Sequence, residues 1–124
     1  MREQTVIQVL GPGASVSQVV RGAQRAGAEV VVVPAGEDKA SSLERFAETL
    51  DLPDWFGRNL DALADCLHDL AETPPPEGAT ARHVVWDGTA ALHAADPRAF
   101  EGICSVLQDV SDEHPAFTAT VVDR

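Results

Sequence analysis

The sequence has 124 residues, which fits a single domain because one hydrophobic core typically serves about 100 to 200 residues. Apolar residues make up 44% of the chain, enough to build a buried core and to exclude a disordered protein. The formal net charge of −11 disfavours direct binding to nucleic acid or to an anionic membrane surface, and it favours a positively charged partner.

The first half of the chain predicts two strand–helix pairs. Residues 5–10 are an apolar run ended by "GPG", and residues 15–26 follow with valines at helical spacing. Residues 29–33 form a β-branched run that a proline stops, as is typical of a parallel strand buried on both faces. The next helix is predicted to begin at Ser42 and to end near Asp51, because the residue before the following proline disfavours helical geometry.

The second half predicts two more helices and two more strands. Asn59 is expected to cap a helix with a stripe of leucines, and the proline-rich residues 73–78 end it. A strand at 83–86 leads through a polar loop to a helix that Asp96 caps, and residues 117–122 form the final strand. Alternating strands and helices predict an α/β fold, a mostly parallel sheet packed with helices, in one domain over the whole chain.

The cellular setting is predicted from two missing patterns. No signal-peptide pattern opens the sequence, and no apolar run approaches the roughly 18 residues of a membrane span. We therefore expect a cytoplasmic protein without membrane contact. In that setting Cys66 and Cys104, both in helical patterns, are expected to be reduced structural thiols.

The negative charge is concentrated in one segment. Residues 51–77 hold seven acids and one base, Arg58, so a net charge of −6 lies in 27 residues. Within it, Asp61, Asp65 and Asp69 follow one another at four-residue intervals. At about 100° per residue these aspartates fall roughly 100° to 180° away from Leu60, opposite the leucine stripe. The helix is therefore expected to bury its leucines and to expose its acids.

Two interpretations of this acidic stripe stay open on the residues alone. A charged helix face most often only meets water, and this is the commoner case. However, Trp55 and Phe56 beside Gly57 supply large aromatic surface next to the acids, which favours a protein interface. Alternatively, one ring, more readily that of Phe56, belongs to the core.

Enzymatic and metal chemistry find little support in the sequence. Asp61 and Asp65 protrude from one helix instead of facing each other across a cleft, and no activated serine or cysteine motif accompanies them. The turn "GPGASV" lacks the endings of nucleotide-binding loops. No metal site or cofactor is expected, and His68 is interpreted as a histidine at the rim of the acidic stripe. The four histidines show no paired ligand spacing: His68, His83, His93 and His114.

The segment 52–67, "LPDWFGRNLDALADCL", resembles the signature of the barstar family, intracellular inhibitors of small microbial ribonucleases. The shared pattern is a proline, an acid, two aromatics, Gly, Asn, then Asp-Ala-Leu and Asp-Cys-Leu in fixed order. The order of elements over residues 28–124 also resembles this family's fold. The resemblance thus implies a barstar-like core at 28–124, with residues 1–27 as an N-terminal strand–helix extension.

The resemblance also implies which residues meet a partner. Asp61 and Asp65 take the positions whose carboxylates face the ribonuclease active site, and Trp55 takes that of an aromatic against the substrate-binding surface. Asn59 and Gly57 occupy loop-shaping positions at the edge of that surface, and a weaker register places Asp112 at a secondary acidic contact. The full set of expected partner-binding residues is Asp54, Trp55, Gly57, Asn59, Asp61, Asp65, Asp69 and Asp112.

The implied partner is a basic, extracellular-type ribonuclease bound one to one, with the carboxylates mimicking RNA phosphates. An acidic adaptor that docks a basic protein other than a nuclease is the alternative. The chain departs from the family's best-known pattern at Ala64, and again at Asp69 and Leu70. These departures bear on which ribonuclease is the target.

Overall fold

The computed structural model describes residues 7–53 and 57–124. Within these ranges the chain forms four strands and five helices. The elements follow the order that the sequence predicted, with one extra short helix. The elements are β1 (Gln8–Leu10), α1 (Val16–Arg25), β2 (Ala28–Pro34), α2 (Lys39–Leu50), α3 (Leu60–Glu72), β3 (Ala81–Asp87), α4 (Ala90–Ala95), α5 (Pro97–Glu113) and β4 (Phe117–Val122).

The strands form one parallel sheet in the order β1-β4-β3-β2. Val33 of β2 pairs in register with Trp86 of β3, which pairs with Val121 of β4. The predicted α/β fold with a parallel sheet is therefore confirmed. At the other edge β1 pairs with β4, with Gln8 opposite Thr120, so the N-terminal strand extends the sheet.

The main core lies between one face of this sheet and helices α2 to α5. Trp86 is fully buried at its centre, where its ring contacts Phe46 of α2 and Phe100 of α5, with ring centroids 5.8 and 5.7 Å away. The strands contribute alternate residues to this core because successive side chains point to opposite faces of a sheet. The core-facing strand residues are Val33, Val84, Trp86, Phe117, Ala119 and Val121.

Helix α1 packs on the opposite face of the sheet, against β2 and β3. A cleft of about 590 Å³ lies between them, and His83 lines it. The ring of His83 bonds the hydroxyl of Thr118 through Nδ1 at 2.6 Å and that of Thr120 through Nε2 at 2.9 Å. Burial lowers the pKa of His83, because a desolvated imidazole disfavours its charged form.

Helix α2 begins three residues earlier than the sequence predicted. Its N-cap is Asp38, whose carboxylate accepts from the N–H of Ser41 at 2.8 Å while the Ser41 hydroxyl accepts from the N–H of Asp38. Ser42 is instead fully buried and accepts a hydrogen bond from the N–H of Gly36. The prediction of a start at Ser42 was wrong because it followed the apolar stripe and missed this capping pair. The predicted end is confirmed, with Asp51 in the left-handed region at φ 52°.

The polar loop expected before α5 contains a short helix, α4, that the sequence pattern did not predict. Six residues are too few for a periodic signal, yet Leu92 in α4 is fully buried. The cap of α5 was predicted correctly, since the side chain of Asp96 accepts from the N–H of Ala99 at 3.1 Å and Pro97 follows it. Among the helices described, none combines the length and the apolar character needed to cross a membrane.

Candidate functional site

The acidic helix α3 begins at a capped N-terminus. The side chain of Asn59 accepts a hydrogen bond from the N–H of Ala62 at 2.8 Å, as expected for a cap. Its amide nitrogen donates to the carbonyl oxygen of Gly57 at 3.4 Å. A Cβ atom at Gly57 would lie 3.1 Å from this nitrogen, so the glycine leaves room for the capping side chain. Asp61 lies in the first turn, where the helix dipole favours a carboxylate.

The two faces of α3 carry opposite chemistry. Leu63 and Leu67 are fully buried, whereas Asp61, Asp65 and Asp69 are exposed. The separation that the helical angles predicted is therefore confirmed. We call the three exposed aspartates the acidic face. Because the buried leucines anchor the helix to the core, the acidic face is presented from a fixed backbone.

Arg82 of β3 holds the C-terminal end of α3. Its guanidinium donates to the carbonyl oxygens of Leu70 and Pro74, both at 2.9 Å, and also to that of Thr73. A cation at this position satisfies terminal carbonyls and offsets the negative end of the helix dipole. Nothing in the sequence indicates this role of Arg82, because an isolated arginine at the start of a strand carries no local signal.

Arg58, the base within the acid-rich segment, is paired with helix α2. Its guanidinium forms an ion pair with Glu44, in which Nη2 lies 3.3 Å from Oε1. The hydrogen bond from Arg58 holds the pKa of Glu44 below its usual value. The backbone of Arg58 has a φ of 51°, in the left-handed region. The pair therefore ties the turn immediately before α3 to the neighbouring helix.

Three residues of the predicted aromatic loop, Asp54, Trp55 and Phe56, lie outside the residues that the structure describes. The expected contacts of Asp54 and Trp55 with a partner stay predictions. The described part of the site is the acidic face, with Gly57 and Asn59 exposed at the start of its helix.

Asp112 lies on α5 and takes part in a network that reaches β1. Its carboxylate accepts from the side-chain nitrogen of Gln108 at 2.8 Å, and the side-chain oxygen of Gln108 accepts from the N–H of Ile7 at 3.0 Å. Asp112 is half-buried in this arrangement. The network connects α5 to the N-terminal strand, a role that the sequence did not indicate. A partner contact at Asp112 stays a prediction.

The two cysteines are free thiols, as expected. Burial raises the pKa of the Cys66 thiol, and the charges of Asp69 and Asp65 raise it further. Burial likewise raises the pKa of Cys104 to about 11, with added effects of Asp123 and Glu101. Cys66 lies on the buried side of α3, where both burial and the two nearby carboxylates disfavour its thiolate.

Two histidines that are distant in sequence meet beside α3. Nδ1 of His68 lies 3.0 Å from Nε2 of His114 and 3.5 Å from a carboxylate oxygen of Glu113. Sequence spacing gave no indication of this cluster, because His68 belongs to α3 while the other two residues end α5. The interpretation of His68 as a histidine at the rim of the acidic stripe did not include these two partners on α5.

Comparison with known protein families identifies the family to which the chain belongs. The sequence model of the family described as Barstar (barnase inhibitor) matches residues 30–122, about three quarters of the chain. The match includes α3 with its acidic face and begins after β1 and α1. A comparison with curated proteins found no significant match. The chain thus belongs to the barstar family, a family of inhibitors and not of enzymes, as the signature segment and the absence of a catalytic motif predicted.

Proposed function

We propose that this protein inhibits a small microbial ribonuclease of the barnase type by covering its active site with the acidic face of α3. The observation that carries the proposal is the exposure of Asp61, Asp65 and Asp69 on one side of a helix whose other side is buried. This helix lies within the span that the family shares.

The proposed mechanism follows from what a ribonuclease must bind. An enzyme that cleaves a polyanion gathers arginines, lysines and histidines around the scissile phosphate, and carboxylates form strong charge-assisted hydrogen bonds with these groups. Asp65, at the centre of the acidic face, takes the place of a phosphate. Asp61, one turn earlier, engages a neighbouring cation, and Trp55 covers the base-binding surface. Inhibition is steric and electrostatic, with no covalent step and no cofactor.

The contacts around α3 suit this role because they fix the helix that carries the carboxylates before the partner arrives. Asn59 caps the first turn, Arg82 binds the last carbonyls, and Arg58 ties the preceding turn to Glu44. A surface that is already ordered loses less conformational entropy on binding than a flexible one. We therefore infer that Arg82 and Arg58 support affinity by holding the helix, while Asn59 combines its capping role with its expected place at the edge of the interface.

The charge distribution suits a fast encounter. The chain carries a net charge of −11, and the acid-rich segment 51–77 contains α3. Opposite fields steer a cationic protein towards this helix and accelerate association at low ionic strength. The proposed partner is a basic, extracellular-type ribonuclease bound one to one. The proposed place of action is the cytoplasm, where an inhibitor protects the cell's own RNA.

An RNA-cleavage assay tests the proposal directly. Basic proteins are captured on the immobilised chain, and any ribonuclease recovered is assayed with and without a stoichiometric amount of free chain. The Asp61→Ala/Asp65→Ala variant is expected to lose both capture and inhibition. A matched control, Glu37→Ala/Glu48→Ala, removes the same charge from two exposed acids outside α3 and is expected to retain them.

The same assay separates inhibition from the adaptor alternative. An acidic adaptor would bind its basic partner and leave ribonuclease activity intact. The proposal would therefore be contradicted if each basic ribonuclease that is recovered still cleaved RNA completely in the presence of excess chain.

A further inference from the structure

The cluster formed by His68, Glu113 and His114 brings three metal-ligand side chains together. One ligand atom from each residue lies within 4.8 Å of the others. The two imidazole nitrogens are 3.0 Å apart, and the carboxylate oxygen of Glu113 is 3.5 Å from Nδ1 of His68. The ring centroids are 5.2 Å apart and the ring planes are inclined by 57°, so the two rings meet through their nitrogens and are not stacked.

The backbone positions of this cluster are set by two packed helices. His68 lies in the last two turns of α3, which packs against α5. His114 is the C-cap of α5, and its N–H donates to the carbonyl oxygen of Val110 at 3.0 Å. Glu113 is the last residue of α5 and is mostly exposed, so its carboxylate is free to turn towards the rings. The cluster therefore combines two positioned imidazoles with one adjustable carboxylate.

We propose that His68, Glu113 and His114 form a binding site for a divalent transition-metal ion of the Zn²⁺ class. In a tetrahedral site with ligands at about 2.0 to 2.1 Å, ligand atoms are separated by roughly 3.3 to 3.4 Å. The two distances from Nδ1 of His68, 3.0 and 3.5 Å, lie on either side of this value. A water molecule completes the coordination.

The donor set selects the kind of ion. Two imidazole nitrogens and one carboxylate suit Zn²⁺ and its neighbours among the divalent transition metals. Mg²⁺ and Ca²⁺ prefer oxygen ligands throughout, so they are poor competitors here. The surroundings are also favourable, because Asp65 lies one turn before His68 on α3 and the chain as a whole is acidic. Such an ion would join the end of α3 to the end of α5.

A direct hydrogen bond between the two rings explains the same short distance without an ion. Titration with Zn²⁺, and with Co²⁺ as a spectroscopic probe, distinguishes the two accounts. The chain is expected to bind one Zn²⁺ per molecule with a rise in its thermal unfolding midpoint. Co²⁺ is expected to give the visible absorption of a nitrogen-ligated, four- or five-coordinate ion, and excess Mg²⁺ is not expected to displace either ion.

Variants locate the site. His68→Ala and His114→Ala are each expected to weaken Zn²⁺ binding at least tenfold, and Glu113→Gln less strongly. His93→Ala removes a histidine outside the cluster and is expected to bind as the parent chain does. His114→Gln serves as a second variant if His114→Ala unfolds, because a glutamine keeps much of the packing at the helix end.

Two results would overturn the site. One is the lack of saturable one-to-one Zn²⁺ binding by the parent chain, which would leave the ring-to-ring hydrogen bond as the account of the geometry. The other is equal binding by the folded His68 and His114 variants, which would assign the ion to the acidic surface in general. Neither result depends on whether the chain inhibits a ribonuclease.

Discussion

Gly102 of α5 lies directly against Leu60, the first residue of the acidic helix. A Cβ atom at Gly102 would lie 2.7 Å from Cδ1 of Leu60, so the Leu60 side chain would have to move to admit it. A glycine inside a helix costs about 1 kcal/mol relative to alanine, so its presence here needs a compensating reason. The close approach of α5 to the start of α3, next to Asp61, provides that reason.

We expect the effect of Gly102→Ala on stability to depend on Leu60. In the parent chain the added methyl group displaces the Leu60 side chain, and this strain offsets the gain in helix propensity. In a Leu60→Ala background the obstacle is gone, so Gly102→Ala is expected to stabilise the protein by up to about 1 kcal/mol. Urea unfolding of the four proteins measures this coupling. Equal effects of Gly102→Ala in both backgrounds would contradict the close contact.

Asp65→Ala is expected to cause the largest loss of ribonuclease affinity among single changes in the acidic face. Removing one partner of a buried charge pair typically costs about 3 to 5 kcal/mol, because the other charge is left unpaired. Asp69 lies beyond the signature segment, and Asp69→Ala is expected to cost about 1 kcal/mol or less, as for an exposed pair. Binding kinetics with the captured enzyme measure both. A loss below about 1 kcal/mol for Asp65→Ala would refute its central role.

Added salt is expected to slow association with the ribonuclease much more than it changes dissociation. The Debye length falls from about 8 Å at physiological ionic strength to about 3 Å at 1 M, which screens the field of the acid-rich segment before contact. Pairs buried in the complex are screened less. Stopped-flow association rates across a salt series measure the effect, with Glu37→Ala/Glu48→Ala as the charge-matched control. A rate that does not change with salt would indicate a mainly apolar interface.

Both cysteines are expected to resist thiol reagents at neutral pH. The pKa of Cys104 is raised to about 11, and that of Cys66 is also raised, so neither forms much of the reactive thiolate. Labelling with a disulfide reagent should be slow in the folded protein and rapid after unfolding. Asp65→Asn/Asp69→Asn removes two charges that raise the pKa of Cys66 and should accelerate its labelling. Fast labelling of the folded parent chain would show that the thiols are not protected.

His83 is expected to make the folded protein less stable as the pH falls through about 6.5, the usual pKa of an unfolded histidine. Burial lowers its pKa in the folded state, so the unfolded chain binds a proton first and is favoured at acidic pH. The stability that the neutral His83 ring provides is fully present above about pH 6.5 and is lost as the pH falls below that value. Urea unfolding at pH 7.5 and pH 5.5 should show a smaller pH effect in His83→Gln than in the parent chain. An equal change in the free energy of unfolding between the two pH values in both proteins would contradict this role of His83.

Most of the acidic helix was predictable because its determinants are local. The cap at Asn59, the leucine stripe and the spacing of the three aspartates all act within about four turns of one helix. The start of α2 was mispredicted for a related reason, since an apolar stripe marks a buried face but not the capping residue Asp38. Helix α4 was missed because it is shorter than any periodic signal.

The sequence by itself determined the α/β class, the family signature and the opposition of acids and leucines on α3, because each depends on residues close together in the chain. Only the tertiary structure decided that β1 pairs with β4, that Arg82 holds the end of α3, and that His68 meets His114. These contacts join residues that are distant in sequence. Their partners are chosen by the packing of the sheet and helices, so no local pattern of residue types specifies them.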